Sequence, residues 1–355
     1  MAPSADTPVE TNGASSSKKP LTLYETSTQY KHWRFSASQL EERRRRMNET
    51  AVNAIRQVHK AEEEGSSSRI SFLTFDEELL LVKQYLTTIP KMCKLHQFPE
   101  EVEATAMTFL KRFYLKNTVM DWHPRNVMLT AIYLATKTTN NPMAIDTYVA
   151  NIPRTTANDV LELEFLVAQS LNFQLAVWGP HRAAWGVWLD LQTLQDWGKE
   201  EARDAFAAVE GYVSASRLTD AEFIYAPSQI AAAAWHLANP ALLEKWLAAK
   251  GESGALPLIK SIASLIEKEG KTPDLAVARD VDARLKICKN PEKVEGSKAY
   301  LRRQAEHEQE AAAKRQKKAE RAAKALADDP FATEPINGVE QNGSKIGEVD
   351  MDDDD

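Results

Sequence analysis

Phe109 to Lys137 reads FLKRFYLKNTVMDWHPRNVMLTAIYLATK, and part of this stretch returns about a hundred residues later. Leu115, Met120, Trp122, Pro124, Val127, Ala131 and Leu134 match Leu218, Phe223, Tyr225, Pro227, Ile230, Ala234 and Leu237. The steps from Leu115 to Leu218 and from Pro124 to Pro227 are both 103 residues. In each copy a polar turn leads to an aromatic residue, then a proline, then an apolar stripe at helical spacing. Proline suits a helix start because the N–H it lacks would be unsatisfied there anyway. A period near a hundred residues is too long for a stacked solenoid unit, which runs roughly 20–50. The reading is a duplicated all-helical domain.

Composition agrees with that reading. Hydrophobic residues make up 43 % of the 355, enough for real cores, while glycine is scarce at 13. Scarce glycine argues for helices and against glycine-rich phosphate loops. The two cysteines, Cys93 and Cys288, lie far apart without CxxC spacing. They imply neither a zinc site nor a disulfide framework, and they suit a reducing compartment. No apolar run reaches the ~18 residues of a membrane span, and MAPSADTPVETNGASSSKKP has no apolar core for a secretory signal. The net charge of −7 is partly local, since EVDMDDDD closes the sequence while RRRR and KRQKK lie elsewhere.

Working outward, residues 1–23 are expected to be disordered. A lead-in and N-terminal helix occupy 24–65, with Ser36 and Gln39 at capping-box spacing and Leu40, Met47, Ala51, Ala54 and Val58 as the docking stripe. Glu62 to Ser68, EEEGSSS, reads as a linker. A first five-helix repeat spans 70–175, with helices opening at Thr74, Pro99, Pro124, about 143 and about 156. The second spans 176–270, with helices at Pro180, Glu200, Pro227, Pro240 and Leu256. C-terminal helices fill 271–326. Val277, Val281, Leu285 and Cys288 align on one, and 297–326 has high helix propensity without an apolar stripe. Residues 327–355 read as a disordered acidic tail.

Catalytic signatures fail one by one. His307-Glu308 begins an HExxH pattern, but position 311 is alanine. There is no P-loop, no GxGxxG and no GxSxG elbow. No catalytic residue, metal site or cofactor is expected. Two charged residues stand out by position. Glu164 lies in line with Val160, Val167 and Leu171 on an otherwise apolar face, where a carboxylate is costly without donors. Lys137 closes the helix that Pro124 opens. From the pattern alone, the two either satisfy each other at the edge of the core or face the backbone of a partner protein. Arg43 to Arg46 and the cluster Lys314, Arg315, Lys317 and Lys318 read as solvated helical faces, the second also as a nuclear-import signal.

The duplicated unit with RFYLKNTVMDWHPRNVMLTAIYLATK resembles the cyclin box, and LELEFLVAQSLNFQL, residues 161–175, resembles its fifth helix. Within the cyclins the likeness is strongest to the cyclin H group. It is carried by STQYKHWRFS (27–36), FLKRFYLKNTVMDWHPR, and RLTDAEFIYAPSQIA (217–231), and it covers about residues 24–290. The resemblance implies an all-α fold of two tandem five-helix repeats flanked by N- and C-terminal helices. It implies a non-catalytic subunit that activates a cyclin-dependent kinase, that of the kinase-activating kinase of transcription factor IIH, acting on the RNA polymerase II tail. It implies a RING-finger assembly subunit, the core of transcription factor IIH and the nucleus as company, with no direct nucleic-acid or membrane partner. Lys137 and Glu164 take the positions of the kinase-contacting lysine and glutamate, and Phe173 and Leu175 those of apolar residues that pack on the kinase's mobile helix. That favours the outward reading of the charged pair. Thr138, Thr139 and Asn140 replace the acidic pair of many cyclins, and no Met-Arg-Ala-Ile-Leu docking segment is present. The alternatives are another transcriptional cyclin of the cyclin C type, or an adaptor of the transcription factor IIB type. His32-Trp33-Arg34-Phe35 and His123-Pro124-Arg125 argue against the first. The absence of a zinc ribbon argues against the second.

Overall fold

The computed structural model describes residues 21–62, 70–194 and 199–327. Of the expected linker at 62–68, Glu62 ends a helix and the rest lies outside the described residues, as do nearly all of the N-terminal tail and the acidic tail beyond Ala327. Among those described, the chain forms helices and turns with no strand, and no helix is long and apolar enough to cross a membrane.

Three helices lead in: α1 (Leu23–Thr26), α2 (Thr28–His32) and α3 (Ala37–Glu62). The first repeat follows as α4 (Phe75–Leu86), α5 (Ile89–Leu95), α6 (Glu100–Phe113), α7 (Pro124–Thr138), α8 (Ile145–Val149), α9 (Ala157–Leu161) and α10 (Glu164–Ser170). The second is α11 (Pro180–Leu191), α12 (Lys199–Ser216), the short α13 (Ala221–Ile224), α14 (Pro227–Ala238), α15 (Pro240–Lys250) and α16 (Leu256–Glu269). Helices α17 (Leu275–Cys288) and α18 (Lys298–Ala327) close the fold. Two expected helices are each broken in two. Pro90 starts α5 after Thr87-Thr88, and a turn at Glu162-Leu163 separates α9 from α10. With those pairs counted as single helices, and the one-turn α13 set aside, each repeat has five.

The 103-residue match is visible in space. Helix α7 touches α4, α5, α6, α9 and α10, and α14 touches α11, α12, α15 and α16. Each is the central helix of its repeat, and a helix packed all round must be apolar nearly all round. Val127 and Ala131 are fully buried in one core, as are Ile230 and Ala234 in the other. The run IAAAAW in α14 lets neighbouring backbones approach closely, and Trp235 fills the remaining space with its indole N–H donated to the Ala184 carbonyl.

The flanks clasp both repeats. Gln29 in α2 pairs with the backbone of Trp178 between the repeats, its amide donating to the carbonyl and its oxygen accepting from the N–H. Trp33 donates to Gln174, and the Phe35 N–H donates to the Phe223 carbonyl. Trp33 and Leu40 then form a small core with Leu115 of the first repeat and Phe223 of the second.

Helix α3 corrects two expectations. Its buried side chains are Leu40, Val52 and Ile55; Met47, Ala51 and Val58 are half-buried, and Ala54 is exposed. The buried track passes through two polar residues, Arg44 and Asn48, which hid it from an apolar count. Asn48 donates to the Leu73 carbonyl and to Glu78. Arg44 is not solvated like its neighbours: it makes a bidentate pair with Asp220, at 2.6 and 2.7 Å. Burial raises the Asp220 pKa, but Arg44, with help from Lys111 and Lys83, more than offsets this and holds the carboxyl below its ordinary value.

Helix α17 also shifts by one position, burying Ala278, Val281, Leu285 and Cys288 while Val277 stays exposed. It packs on α4, so the chain returns to the first repeat after completing the second. The return is pinned by Asn290, whose N–H donates to the Met120 carbonyl and whose amide donates to Asp121. His123 caps α7 through Nδ1, which accepts from the Arg125 N–H, so Nε2 carries the proton it shares with Asp282. Among the described residues helix α18 packs chiefly on α3 and the turn Pro291–Lys293, and from Leu301 onward it is almost wholly exposed.

Candidate functional site

Lys137 sits in the last turn of α7, and Glu164 is the first residue of α10. The break at Glu162-Leu163 matters here, because it puts the carboxylate at a helix N-terminus, where unsatisfied N–H groups favour negative charge. Lys137 Nζ lies 2.5 Å from Glu164 Oε1, and the side chains are 40 % and 23 % exposed. The ammonium also lies 4.5 Å from the centre of the Tyr133 ring. The pair therefore satisfies itself, and it does so at the surface. The ammonium keeps further N–H donors and the carboxylate a second oxygen for a partner.

Exposed apolar residues flank Glu164 along the chain. Phe173 is 58 % exposed and Phe165 67 %, with ring centres 6.0 Å apart. Leu161 adds a third exposed apolar side chain. Leu175, expected beside Phe173, is half-buried and packs on the first core instead. Phe165 and Leu161 went unnoticed in the sequence, although their i, i+4 spacing was a signal. Reading Val160, Val167 and Leu171 as the buried stripe leaves Leu161 and Phe165 as a second apolar face.

Backbone geometry holds Phe173 outward. Asn172 and Phe173 are both left-handed, with φ of 53° and 54°. The Asn172 N–H donates to the Gln169 carbonyl and the Phe173 N–H to Ala168, which is the double bond of a Schellman helix end. Asparagine tolerates that region, but a bulky residue there is strained by about 1–3 kcal/mol. Lys116 anchors the turn from outside by donating to Asn172 Oδ1 at 2.6 Å.

The remaining candidate, Lys314, Arg315, Lys317 and Lys318, lies exposed on α18, away from both repeats. Among the described residues no group of three or more His, Cys, Asp or Glu side chains could hold a metal ion.

Residues 55–176 match the cyclin N-terminal domain, and residues 179–268 match the cyclin C-terminal domain. The chain is 32 % identical to cyclin mcs2 of Schizosaccharomyces pombe, over 87 % of this chain and 98 % of that one. The chain belongs to the cyclin family. This cyclin is also 34 % identical to cyclin-H of Xenopus laevis, over 59 % of its own length and 66 % of the relative's. Its structure resembles a chain of the CAK complex of Chaetomium thermophilum bound to ATP-gamma-S, with a TM-score of 0.72, 28 % identity, and coverage of 80 % and 94 %. It resembles a chain of the yeast TFIIK (Kin28/Ccl1/Tfb3) complex with a TM-score of 0.58, 28 % identity, and coverage of 68 % and 100 %. Lys137, Glu164, Phe165, Phe173 and Leu175 all fall within the matched N-terminal domain, whereas α17 and α18 lie beyond both matches.

Proposed function

We infer that this cyclin is the non-catalytic regulatory subunit of a CDK-activating kinase. It engages the kinase through the Lys137–Glu164 pair and the Phe165–Phe173 patch. The observation that carries the reading is the exposed aromatic pair beside a surface ion pair, in a cyclin whose structural neighbours come from kinase complexes.

Kinase catalysis needs an ion pair between a strand lysine and a glutamate on a mobile helix. A cyclin that binds only the swung-in position of that helix shifts the kinase toward it, and a shift from 1:99 to 99:1 takes about 5.5 kcal/mol of differential affinity. Phe165, Phe173 and Leu161 expose roughly 300 Å² between them, worth about 7 kcal/mol gross at ~25 cal/mol/Å². Part of that is consumed by association itself. The patch is therefore of the right size to supply the shift, with the ion pair setting register through charge-assisted hydrogen bonds to backbone.

The same reading assigns the chain a RING-finger assembly subunit, attachment to the core of transcription factor IIH, and the nucleus, where the exposed basic cluster on α18 serves import. Its kinase acts on the RNA polymerase II tail repeat. The test is co-purification of the tagged chain from its own cells, followed by a kinase assay on a tail-repeat peptide. Recovery of a kinase that phosphorylates the peptide only with this chain bound is the expected result. Recovery of no kinase overturns the reading.

A further inference from the structure

The second repeat carries an aromatic cleft whose outer wall, Trp185, lies outside the core packing. Trp185 on α11 is 50 % exposed, and its ring meets that of Phe206 on α12 edge to face, 5.6 Å apart at 69°. Behind them Trp188 stacks on Trp235, and these two rings and Phe206, but not Trp185, belong to the core packing. Trp185 and Phe206 open onto about 660 Å³ of empty space floored by Ala184 and Val213 and rimmed by Glu100 and Glu210.

The charges around this space are mostly negative. Four carboxylates, Glu100, Glu101, Glu103 and Glu210, stand against two cations, Arg182 and Arg217. Arg217 is taken up by Glu100 and Glu103, and Arg182 by Glu101. Glu210 has no ion pair among the described residues. His181, also on the rim, is kept neutral by burial and by the adjacent Arg217, its pKa falling below the ordinary value. A ring face set beside an unpaired carboxylate is what a desolvating cation seeks. The ring quadrupole attracts the charge, the carboxylate pairs with it, and the apolar walls accept the methylene stem. A neutral apolar guest would use the walls but leave Glu210 beside it, partly desolvated and unpaired.

We propose that this cleft binds the side chain of an arginine or lysine presented by a basic segment of a partner protein. The site lies where α11 and α12 of the second repeat meet the start of α6, and it shares no residue with the Lys137–Glu164 patch.

The test uses the full chain and a fluorescein-labelled peptide of eight residues, two of them arginine, with a twin in which citrulline replaces arginine. Fluorescence anisotropy at low salt should show the arginine peptide binding at least about threefold more tightly than the twin. Trp185→Ala and Glu210→Gln should each weaken it, while Arg182→Gln, which frees Glu101, should tighten it. Glu210 is exposed, so Glu210→Gln leaves folding intact and decides the matter if Trp185→Ala does not fold. Equal binding of the twins overturns the proposal, as does indifference to both charge variants or no binding at millimolar peptide. So does a concentration-dependent dimer, seen by sedimentation and lost in Trp185→Ala, because a second copy then covers the cleft.

Discussion

Phe173→Gly separates the two roles a surface aromatic can have. The wild-type ring is 58 % exposed and sits on a left-handed backbone. Glycine relieves that backbone by about 1–2 kcal/mol. It gives back about 0.5–1 kcal/mol through the freer unfolded chain and about 0.5–1.5 kcal/mol through the lost contact with Phe165. The free chain should therefore keep its stability to within about 1 kcal/mol, a melting shift of a few degrees at most. Kinase affinity should respond quite differently. An exposed ring area of roughly 115 Å² is worth about 3 kcal/mol if covered by the partner, or some 150-fold in Kd. Were that whole sum differential between the two kinase states, a kinase held at 99:1 would fall to about 40 % active at saturating cyclin.

The assays are a melting curve of the chain alone, a calorimetric titration with the purified kinase, and the tail-peptide rate at saturating cyclin. Phe113→Ala is the control of opposite sign, because Phe113 is fully buried and its loss should cost about 3–5 kcal/mol of stability. If Phe173→Gly leaves the Kd unchanged and lowers the melting temperature as far as the control does, the ring is structural and the reasoning fails.

Other consequences follow from the same geometry. Lys137→Ala with Glu164→Ala should change stability by under ~1 kcal/mol, as exposed pairs do, yet weaken kinase binding by ~2–5 kcal/mol in the same titration. Arg44→Met should destabilise the chain by about 2–4 kcal/mol at pH 7, measured by urea unfolding. The Asp220 carboxyl is held below its ordinary pKa, so its contribution is present above the unfolded value of about 3.9 and is lost as pH falls through the folded one. The gap between wild type and Arg44→Met should therefore close in acid. Ile55→Ala should cost about 2–5 kcal/mol while Ala54→Lys costs almost nothing, which tests the buried track of α3 by thermal melting. Ending the chain at Gly270 should lower the melting temperature of the first repeat, because it strips Val281, Leu285 and Cys288 from that core.

What could be read in advance was whatever apolar periodicity and proline punctuation encode. The match of Leu115, Pro124 and Val127 to Leu218, Pro227 and Ile230 marked two central helices, and both are there. Periodicity failed where a buried face carries polar residues. Arg44 and Asn48 lie on the inner side of α3, and an apolar count passes over them toward Met47 and Ala54. It also failed where an apolar face stays outside. Phe165 and Leu161 look like core residues to any count, and only the position of Val160 and Val167 on the other side of the helix shows that they face solvent. Lys137 and Glu164 were legible as a pair of positions. That they bond to each other depended on the turn at Glu162-Leu163, which no residue there announces.

The junction between the repeats is where polar groups decide the outcome. Arg112 is 1 % exposed, donates to the Gln174 carbonyl and to Gln29, and lies 4.9 Å from the centre of the Trp33 ring. Burial drags its pKa down to about 10, so it remains charged at neutral pH. Beside it Lys111 pairs with Glu222 at 3.0 Å and donates to the Arg217 and Thr219 carbonyls. Two adjacent cations of α6 thus reach in different directions, Arg112 toward the lead-in and the link at Gln174, Lys111 toward the turn that opens α13. Apolar surface alone would let the repeats slide, since burial has no direction. Hydrogen bonds from buried cations to particular carbonyls allow one arrangement, because every other leaves a charge desolvated and unpaired. The lead-in contributes to the same lock, for Gln29 holds Arg112 with the oxygen that also accepts from Trp178. Gln29→Leu keeps the volume and removes the acceptor. It should therefore loosen the angle between the repeats more than it unfolds either core, and amide hydrogen exchange would show this as lost protection confined to residues 172–180 and the start of α13.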